Sequence, residues 1–109
     1  PADADMVLDA RFLPNPHYVP NLKPLTGRDL PVRTWLLESD AFQTFLALAE
    51  NWLRWAWPYI QEEARAYHTV AIGCTGGQHR SVALAELLGE RLVLDIPQLQ
   101  VQHRELRGR

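Results

Sequence analysis

The chain has 109 residues, of which 47% are hydrophobic and 22% charged, and these proportions are ordinary for one globular domain over residues 1–109. Its net charge of −2 argues against a generally basic surface, so any RNA contact must come from a local patch. We expect neither a membrane span nor a signal peptide, because no apolar run approaches the ~18 residues that a span needs. The single cysteine excludes an internal disulfide and fits a cytoplasmic location.

The first predicted element is a strand close to the start of the chain. Residues 6–8 form the apolar run Met-Val-Leu, which is typical of a parallel strand buried on both faces. Asp9 and Arg11 would lie near its carboxyl end on the same face, because strand side chains repeat every two residues. Residues 14–31 then hold five prolines and Gly27, which predicts an ordered, extended loop instead of a helix or strand. Its expected apolar anchors are Phe12, Leu13, Tyr18, Val19, Leu22 and Leu25.

Within this proline-rich loop, the tripeptide Asn15-Pro16-His17 has two interpretations. In the first, Asn15 hydrogen-bonds its own backbone in a turn and His17 is solvated. In the second, both side chains lie at the carboxyl edge of the sheet and bind a ligand there. The residues by themselves favour the first interpretation.

Two helices are predicted next. Residues 31–38 read as a short helix with proline in its first turn, and Asp40 as the N-cap of a longer helix that ends near Pro58. The longer helix has two apolar stripes and only a narrow polar face. Its aromatic residues are best explained as core, but so wide an apolar surface also indicates a subunit contact or docking face around Trp55. The first stripe contains Phe42, Leu46, Ala49, Leu53, Ala56 and Ile60, and the second contains Phe45, Leu48, Trp52, Trp55 and Tyr59.

Residues 69–88 read TVAIGCTGGQHRSVALAELL and combine a strand over 69–72, a glycine-rich loop, and a helix from Ser81 to about Leu92. The first N–H groups of a helix have no internal partner, and the helix dipole adds positive charge there, so this junction is typical of an anion site. Glycines let the backbone turn its N–H groups inward, and an arginine fork matches phosphate oxygens. The sequence therefore predicts a phosphate-binding loop made by Cys74, Thr75, Gly76, Gly77, Gln78, His79, Arg80 and Ser81.

The same loop has the spacing C-x5-R-S, from Cys74 to Ser81, of cysteine-dependent phosphatases. A thiol at a helix N-terminus beside an arginine is a plausible nucleophile, although a structural cysteine is an equally good explanation. Gly73 stands where those enzymes carry histidine, and no general acid is evident. The loop does not match a Walker-type nucleotide loop, because the lysine of that motif is absent. We expect no metal site, since the four histidines are scattered and there is one cysteine. We also expect no cofactor and no catalytic residue.

The last part of the chain predicts a strand and a tail. Leu99, Val101 and His103 alternate with glutamines, which indicates a third, half-exposed strand. The basic tail 104–109 supplies three RNA-binding candidates, although such tails are usually only solvated. The element order predicts an α/β fold with a small, mainly parallel β-sheet and helices packed on it, and ligands of such sheets bind outside the carboxyl ends of the strands. The candidates in the tail are Arg104, Arg107 and Arg109.

The segment GCTGGQHRSV, together with DARFLPNPHYVPNLKPLTGRD, resembles the C-terminal domain of the RapZ/YvcJ family over nearly the whole chain, from Asp5 to about Leu106. The resemblance implies a sensor of an amino-sugar phosphate such as glucosamine-6-phosphate, in an adaptor for RNA regulation, and not a phosphatase. The implied partners are the sugar phosphate, RNA, an RNase or another regulatory protein, and further copies of the chain. Members usually carry an N-terminal nucleotide-binding domain with a Walker loop, which this sequence does not contain. The resemblance favours ligand binding by Asn15 and His17, with Asp9 and Arg11 as further sugar-binding candidates.

Overall fold

Three helices and a two-stranded parallel sheet form the described part of the computed structural model, which covers residues 5–63, 68–74 and 77–103. This architecture confirms the predicted small α/β fold. No helix in these ranges is both long and apolar enough to cross a membrane. The elements in chain order are strand β1 (Met6–Asp9), a 3₁₀ turn (Pro16–Tyr18), helices α1 (Leu30–Leu37) and α2 (Asp40–Glu62), strand β2 (Val70–Gly73) and helix α3 (Arg80–Leu92).

The sheet pairs β1 with β2 in parallel, with Met6 opposite Val70 and Asp9 opposite Gly73. The backbone N–H of Ala10 donates to the carbonyl of Gly73 over 2.8 Å and extends the pairing by one residue. Because the carboxyl ends of parallel strands meet at one edge, the loops that follow β1 and β2 are neighbours.

β1 has one inward face and one outward face, so the expectation of a strand buried on both faces is wrong. Leu8 packs against the core, whereas Val7 is mostly exposed. Alternate residues of a strand point to opposite faces, and only the face with Leu8 is covered here.

The hydrophobic core is formed mainly by the facing sides of α2 and α3. Burying one large apolar side chain contributes about 1.5–3 kcal/mol, so these helices supply much of the stability. The predicted first stripe of α2 is buried, apart from Ile60, which is half-buried. The main core residues from the two helices are Phe42, Leu46, Ala49, Leu53, Ala56, Val82, Ala83, Leu84, Leu87, Leu88 and Leu92.

Both ends of α2 differ from the prediction. The N-cap is Ser39, not Asp40, and its hydroxyl accepts the backbone N–H of Phe42 over 3.2 Å. The helix also continues through Pro58 to Glu62. A proline in a helix deprives the carbonyl four residues earlier of its donor. That carbonyl belongs to Arg54, which is exposed, so water can replace the missing N–H.

The C-terminal segment 99–103 lies along α3 and forms no strand, so the predicted third strand is wrong. Its contacts are with the helix: the His103 ring is 2.6 Å from a carboxylate oxygen of Glu86. Val101 packs so close to Gly89 that a Cβ atom on that glycine would lie 2.7 Å from its methyl group. Side-chain contacts with α3 thus hold this segment in place of the backbone hydrogen bonds that a strand would make. The tail 104–109 lies outside the described residues.

The proline-rich loop is anchored by fewer side chains than the sequence predicts. Leu13 and Leu22 are buried as expected, but Phe12 and Tyr18 are among the most exposed large side chains. The Phe12 ring instead packs on the outer side of α2, 5.9 Å from that of Phe45. Hydrogen bonds to the loop backbone, described below, hold the loop in place of these two rings.

Candidate functional site

The carboxyl ends of β1 and β2 bring two groups of predicted site residues to one edge of the sheet. Asp9 ends β1 and Gly73 ends β2, directly opposite each other. Asp9 is the last residue of β1, and Arg11 comes two residues later. Cys74 and the start of α3 come after β2. We call this edge, with its two loops, the candidate site.

Asp9 and Arg11 form a two-pronged ion pair at the candidate site, although β1 ends at Asp9 and Arg11 lies in the turn that follows. Arg11 Nη2 donates to Asp9 Oδ2 over 2.8 Å, Arg11 Nε donates to Asp9 Oδ1 over 3.0 Å, and the Arg11 backbone N–H donates to the same Oδ1 over 2.9 Å. The side-chain hydrogen bond from Arg11, then the backbone one, lowers the pKa of Asp9 to about 2, with a further contribution from the charge of Arg80. Asp9 is therefore a carboxylate at neutral pH.

The thiol of Cys74 is tied to the first turn of α3. Its sulfur accepts the backbone N–H of Ser81 over 3.3 Å, and the thiol donates to the hydroxyl oxygen of Ser81 over 3.2 Å. The hydroxyl of Ser81 thus contacts the thiol and does not cap the helix, for which the N-cap residue is His79. The arrangement places sulfur at a helix N-terminus, where the helix dipole favours negative charge.

Gln78 and His79 use their side chains to hold the proline-rich loop. Gln78 Nε2 donates to the carbonyls of Lys23 and Leu25 over 2.8 and 2.7 Å. The buried His79 ring has Nε2 3.0 Å from the carbonyl of Leu22, so that nitrogen carries the proton in this contact. Each of these side chains has a structural explanation that the sequence did not indicate, because the partners lie more than fifty residues away.

Arg80 is buried and holds the chain just before the proline-rich loop. Its Nη1 donates to the carbonyls of Arg11 and Leu13 over 2.6 and 3.0 Å. Carbonyl oxygens partly compensate the desolvated charge, and the guanidinium contributes a fixed positive charge beneath the candidate site. Arg80 thus positions the backbone of Arg11, and its predicted contact with a phosphate stays a prediction.

Gly27 allows the far end of the proline-rich loop to touch α3, and sequence analysis gave it no role at the site. A Cβ atom at this position would lie 2.2 Å from the backbone nitrogen of Ala83 and 2.3 Å from the carbonyl oxygen of His79. Its own N–H donates to the carbonyl of Gln78 over 3.0 Å. In the sequence, Gly27 can be recognised only as a turn glycine, and a turn glycine does not indicate a close contact with a helix.

Asn15 and His17 lie in the loop that follows β1, and the hydrogen bond of the turn interpretation is present. Asn15 Oδ1 accepts the backbone N–H of His17 over 3.0 Å and caps the 3₁₀ turn. The His17 ring is exposed and packs edge-on against Tyr18, with centroids 5.7 Å apart. A capping role does not exclude ligand contacts through the Asn15 amide nitrogen or the His17 ring, and these remain predictions.

Other predicted residues fall partly outside the described chain. Thr75 and Gly76, which open the glycine-rich loop, are not among the described residues, nor is the basic tail with Arg104, Arg107 and Arg109. Gly77 has a φ of 60°, in the left-handed region that favours glycine. Within residues 5–63, 68–74 and 77–103, no group of three or more His, Cys, Asp or Glu residues is arranged to hold a metal ion.

The fold and this edge define a small α/β domain in which two loops meet at the carboxyl ends of parallel strands. The family model described as RapZ C-terminal domain matches residues 1–107. The chain therefore belongs to that family, as its two motifs predicted.

Curated relatives support the same assignment. The chain is 48% identical over 105 residues to a nucleotide-binding protein of Pseudoalteromonas translucida (strain TAC 125), covering 96% of this chain and 37% of the relative. It is 46% identical to a nucleotide-binding protein of Pasteurella multocida (strain Pm70) and 49% identical to one of Aeromonas hydrophila, each covering 97% of this chain and 37% of the relative. The chain thus spans little more than a third of the length of these proteins.

Proposed function

We propose that this domain binds a sugar phosphate without catalysis, and that the ligand is an amino-sugar phosphate such as glucosamine-6-phosphate. The observation that supports this best is the meeting of Asp9 and Arg11 with the N-terminus of α3 at one sheet edge. A sugar phosphate has an anionic end and a polar, hydroxylated end, and this edge offers groups suited to both.

The phosphate lies on the backbone N–H groups of residues 75–80 in this proposal, since the N–H of Ser81 donates to Cys74 Sγ. The helix dipole and the buried charge of Arg80 make that position electropositive. Gln78 and His79 contribute through their backbone, since their side chains hold loop carbonyls. Arg11 is 69% exposed and can turn its guanidinium from Asp9 to the phosphate.

The sugar lies towards the loop that follows β1. Asp9 is ionised at neutral pH, so it accepts hydrogen bonds from hydroxyl groups and pairs with a ligand ammonium group. Asn15 and His17 add donors and acceptors beside it. A carboxylate next to hydroxyl-binding groups favours an amino sugar over a neutral one.

The phosphatase hypothesis is the second candidate, and the contact of Cys74 with the N-terminus of α3 is the observation in its favour. The acidic residue at the site argues against it. With a pKa of about 2, Asp9 carries no proton to give to a leaving group at neutral pH. The thiol also has a structural partner in Ser81. We therefore assign Cys74 a binding and structural role.

We also propose an adaptor role, in which the domain reports the sugar phosphate to the rest of a longer protein. The curated relatives are named nucleotide-binding proteins, and the region that matches this chain makes up 37% of the Pseudoalteromonas translucida and Pasteurella multocida proteins. RNA and an RNase or another regulatory protein are the proposed partners. RNA contacts are assigned to the tail arginines, and their affinity should fall with salt at a slope near −0.7 per phosphate neutralised on a single strand.

Isothermal titration calorimetry with glucosamine-6-phosphate and with inorganic phosphate tests the site. A charge-assisted hydrogen bond contributes roughly 1.5–3 kcal/mol, so Arg11→Ala should weaken both ligands at least about tenfold. The double variant Asn15→Ala with His17→Ala should weaken the sugar phosphate and leave inorganic phosphate nearly unchanged. Arg91→Ala removes an arginine at the opposite end of α3 and is the matched control.

Two results would contradict the proposal. The first is the absence of binding by the wild-type chain to either ligand. The second is an equal loss for both ligands, or no loss for either, in the Asn15 and His17 double variant. Cysteine-dependent turnover of an aryl phosphate would support the phosphatase hypothesis instead.

A further inference from the structure

A groove of about 510 Å³ separates helix α1 from the middle of the proline-rich loop. We call it the α1 groove and define it by Val19, Leu22, Leu30, Pro31, Trp35 and Glu38. Its helical wall includes Leu30, Thr34 and Glu38, which share one face of α1 because they are four residues apart. Leu30 is 74% exposed, so an apolar side chain of this wall faces water.

The loop wall of the α1 groove is held in place by hydrogen bonds. Leu22 is buried and lines the groove, and its carbonyl lies 3.0 Å from Nε2 of His79. The N–H of Leu22 donates to the carbonyl of Val19 over 2.9 Å. The opposite wall belongs to a regular helix. A groove whose two walls are already held loses less conformational entropy on binding than an unsupported loop would.

The polar side chains of the groove offer hydrogen-bond donors to a partner. The amide of Asn21, the hydroxyl of Thr34 and the indole N–H of Trp35 make no hydrogen bond to other residues that the structure describes. Each can donate to a carbonyl oxygen. An α-helix satisfies most of its own carbonyls, whereas polyproline II leaves them all open, and its prolines bring no N–H that needs an acceptor. The groove therefore matches an extended, proline-rich segment.

Glu38 determines the charge of the groove, because it is the one charged residue among the described residues that line it. It is the C-cap of α1, where the helix dipole is negative, and the last turn of α1 contains no basic residue. Within residues 5–63, 68–74 and 77–103, no ion pair involves Glu38. A basic side chain of a partner would meet a carboxylate and the negative end of a helix together.

We propose that the α1 groove binds a proline-rich segment of another protein, with an arginine or lysine at one end of that segment. The proline rings pack on Trp35, Pro31 and Leu30, as in other aromatic-lined grooves that bind polyproline II, and the basic side chain pairs with Glu38. The helical wall runs about 12 Å at 1.5 Å per residue, which about four residues of polyproline II cover at 3.1 Å each. The groove shares no residue with the groups assigned to the sugar phosphate, so either proposal can fail without the other.

An NMR titration of the ¹⁵N-labelled chain tests the proposal. The probe is a peptide of about six prolines with an arginine at each end, which covers the groove in either direction. The indole N–H signal of Trp35, assigned with Trp35→Phe, should shift and saturate with a Kd below about 1 mM. Trp55 is 64% exposed on a different helix, so its indole signal is the internal control and should not move.

Three variants at exposed positions separate the contacts. Glu38→Gln should weaken binding about two- to fivefold, the range of an exposed ion pair. Glu62→Gln removes a glutamate at the end of the other long helix, α2, and should bind as wild type. Thr34→Arg should abolish the shift of Trp35, because the new side chain fills the groove and pairs with Glu38 four residues later. Circular dichroism establishes that each variant is folded.

Four results would overturn the proposal. The first is a Trp35 signal that stays in place at about 2 mM peptide. The second is an equal shift of Trp35 and Trp55. The third is wild-type affinity in Thr34→Arg, or an effect of Glu38→Gln no larger than that of Glu62→Gln. The fourth is tighter binding of an amphipathic helical peptide with the same basic residues, which would assign the groove to a helical partner.

Discussion

Gly27→Ala should be one of the most damaging single-methyl changes in this domain. The added Cβ atom would lie 2.2 Å from the nitrogen of Ala83, 2.3 Å from the oxygen of His79 and 2.9 Å from the carbonyl carbon of Val82. All three are backbone atoms of the first turns of α3, so none can move aside as a flexible side chain would. The proline-rich loop must withdraw by about 1 Å to reach ordinary van der Waals separation.

That withdrawal removes several hydrogen bonds together. Gly27 donates to the carbonyl of Gln78 over 3.0 Å and accepts from Arg33 Nε over 3.2 Å. The Gln78 side chain holds Lys23 and Leu25 at 2.8 and 2.7 Å, and these contacts stretch as the loop moves. Three to four bonds at about 0.5–1.5 kcal/mol each amount to about 3 kcal/mol. For a domain of this size the melting temperature should fall by about 10–20 °C.

Differential scanning calorimetry measures this effect directly. Gly73→Ala is the matched control, because a Cβ atom there would meet nothing within 4 Å. It should change the free energy of unfolding by no more than about 1 kcal/mol. If Gly27→Ala melts within a few degrees of Gly73→Ala, the close packing of loop and helix described here is wrong.

Three smaller predictions concern single contacts. Ser39→Ala should cost about 1 kcal/mol through loss of the α2 cap, whereas Ser39→Asp keeps a capping oxygen and should stay near wild type in thermal unfolding. Asp9 should titrate near 2 by NMR and return towards 3.8 in Arg11→Ala, and an unchanged value would refute the ion pair as the cause. Because its folded pKa is lowered, its contribution to stability is present above about 3.8 and lost as the pH falls towards 2. Cys74→Ser should keep ligand affinity within a few-fold, and a complete loss would contradict a supporting role for the thiol.

The sequence predicted the parts of the fold that depend on local pattern. The apolar run at residues 6–8 and the predicted strand at 69–72 became paired parallel strands, and the periodicity of α2 identified its buried face. The sequence placed Asp9 and Arg11 near the carboxyl end of β1, where they are found, but it did not predict the ion pair that they form. Such features depend on residues that are close in sequence, either neighbours or about one helical turn apart.

The errors arose where distant parts of the chain compete. Alternation at 99–103 fits a strand, but the segment packs along α3 through Val101 and His103 instead of pairing with the sheet. Pro58 lies inside α2 at a position exposed to water, where the backbone can find other partners. Neither the contacts with α3 nor the exposure of Pro58 can be read from spacing.

The largest difference between sequence and structure concerns the motif over residues 77–81. The sequence predicted that backbone N–H groups of this loop bind a phosphate together with the guanidinium of Arg80. In the structure the side chains of Gln78, His79 and Arg80 point instead to carbonyls between residues 11 and 25. A linear motif shows which chemical groups are present, but not whether their side chains face a ligand or the carbonyls of a neighbouring loop.

This arrangement gives the motif a physical reason to combine two functions. If the side chains hold the proline-rich loop, an anion is left to the backbone N–H groups that precede Ser81, whose own N–H donates to Cys74 Sγ. The two loops are then joined before any ligand arrives, because Arg80 bonds the backbone of Arg11, and Gly27 bonds that of Gln78. A site whose walls are already connected loses less conformational entropy on binding than two separate loops would. On the proposed function, the side chains of this motif thus contribute to affinity mainly by preorganisation, and direct contact with the phosphate falls to Arg11 and the backbone.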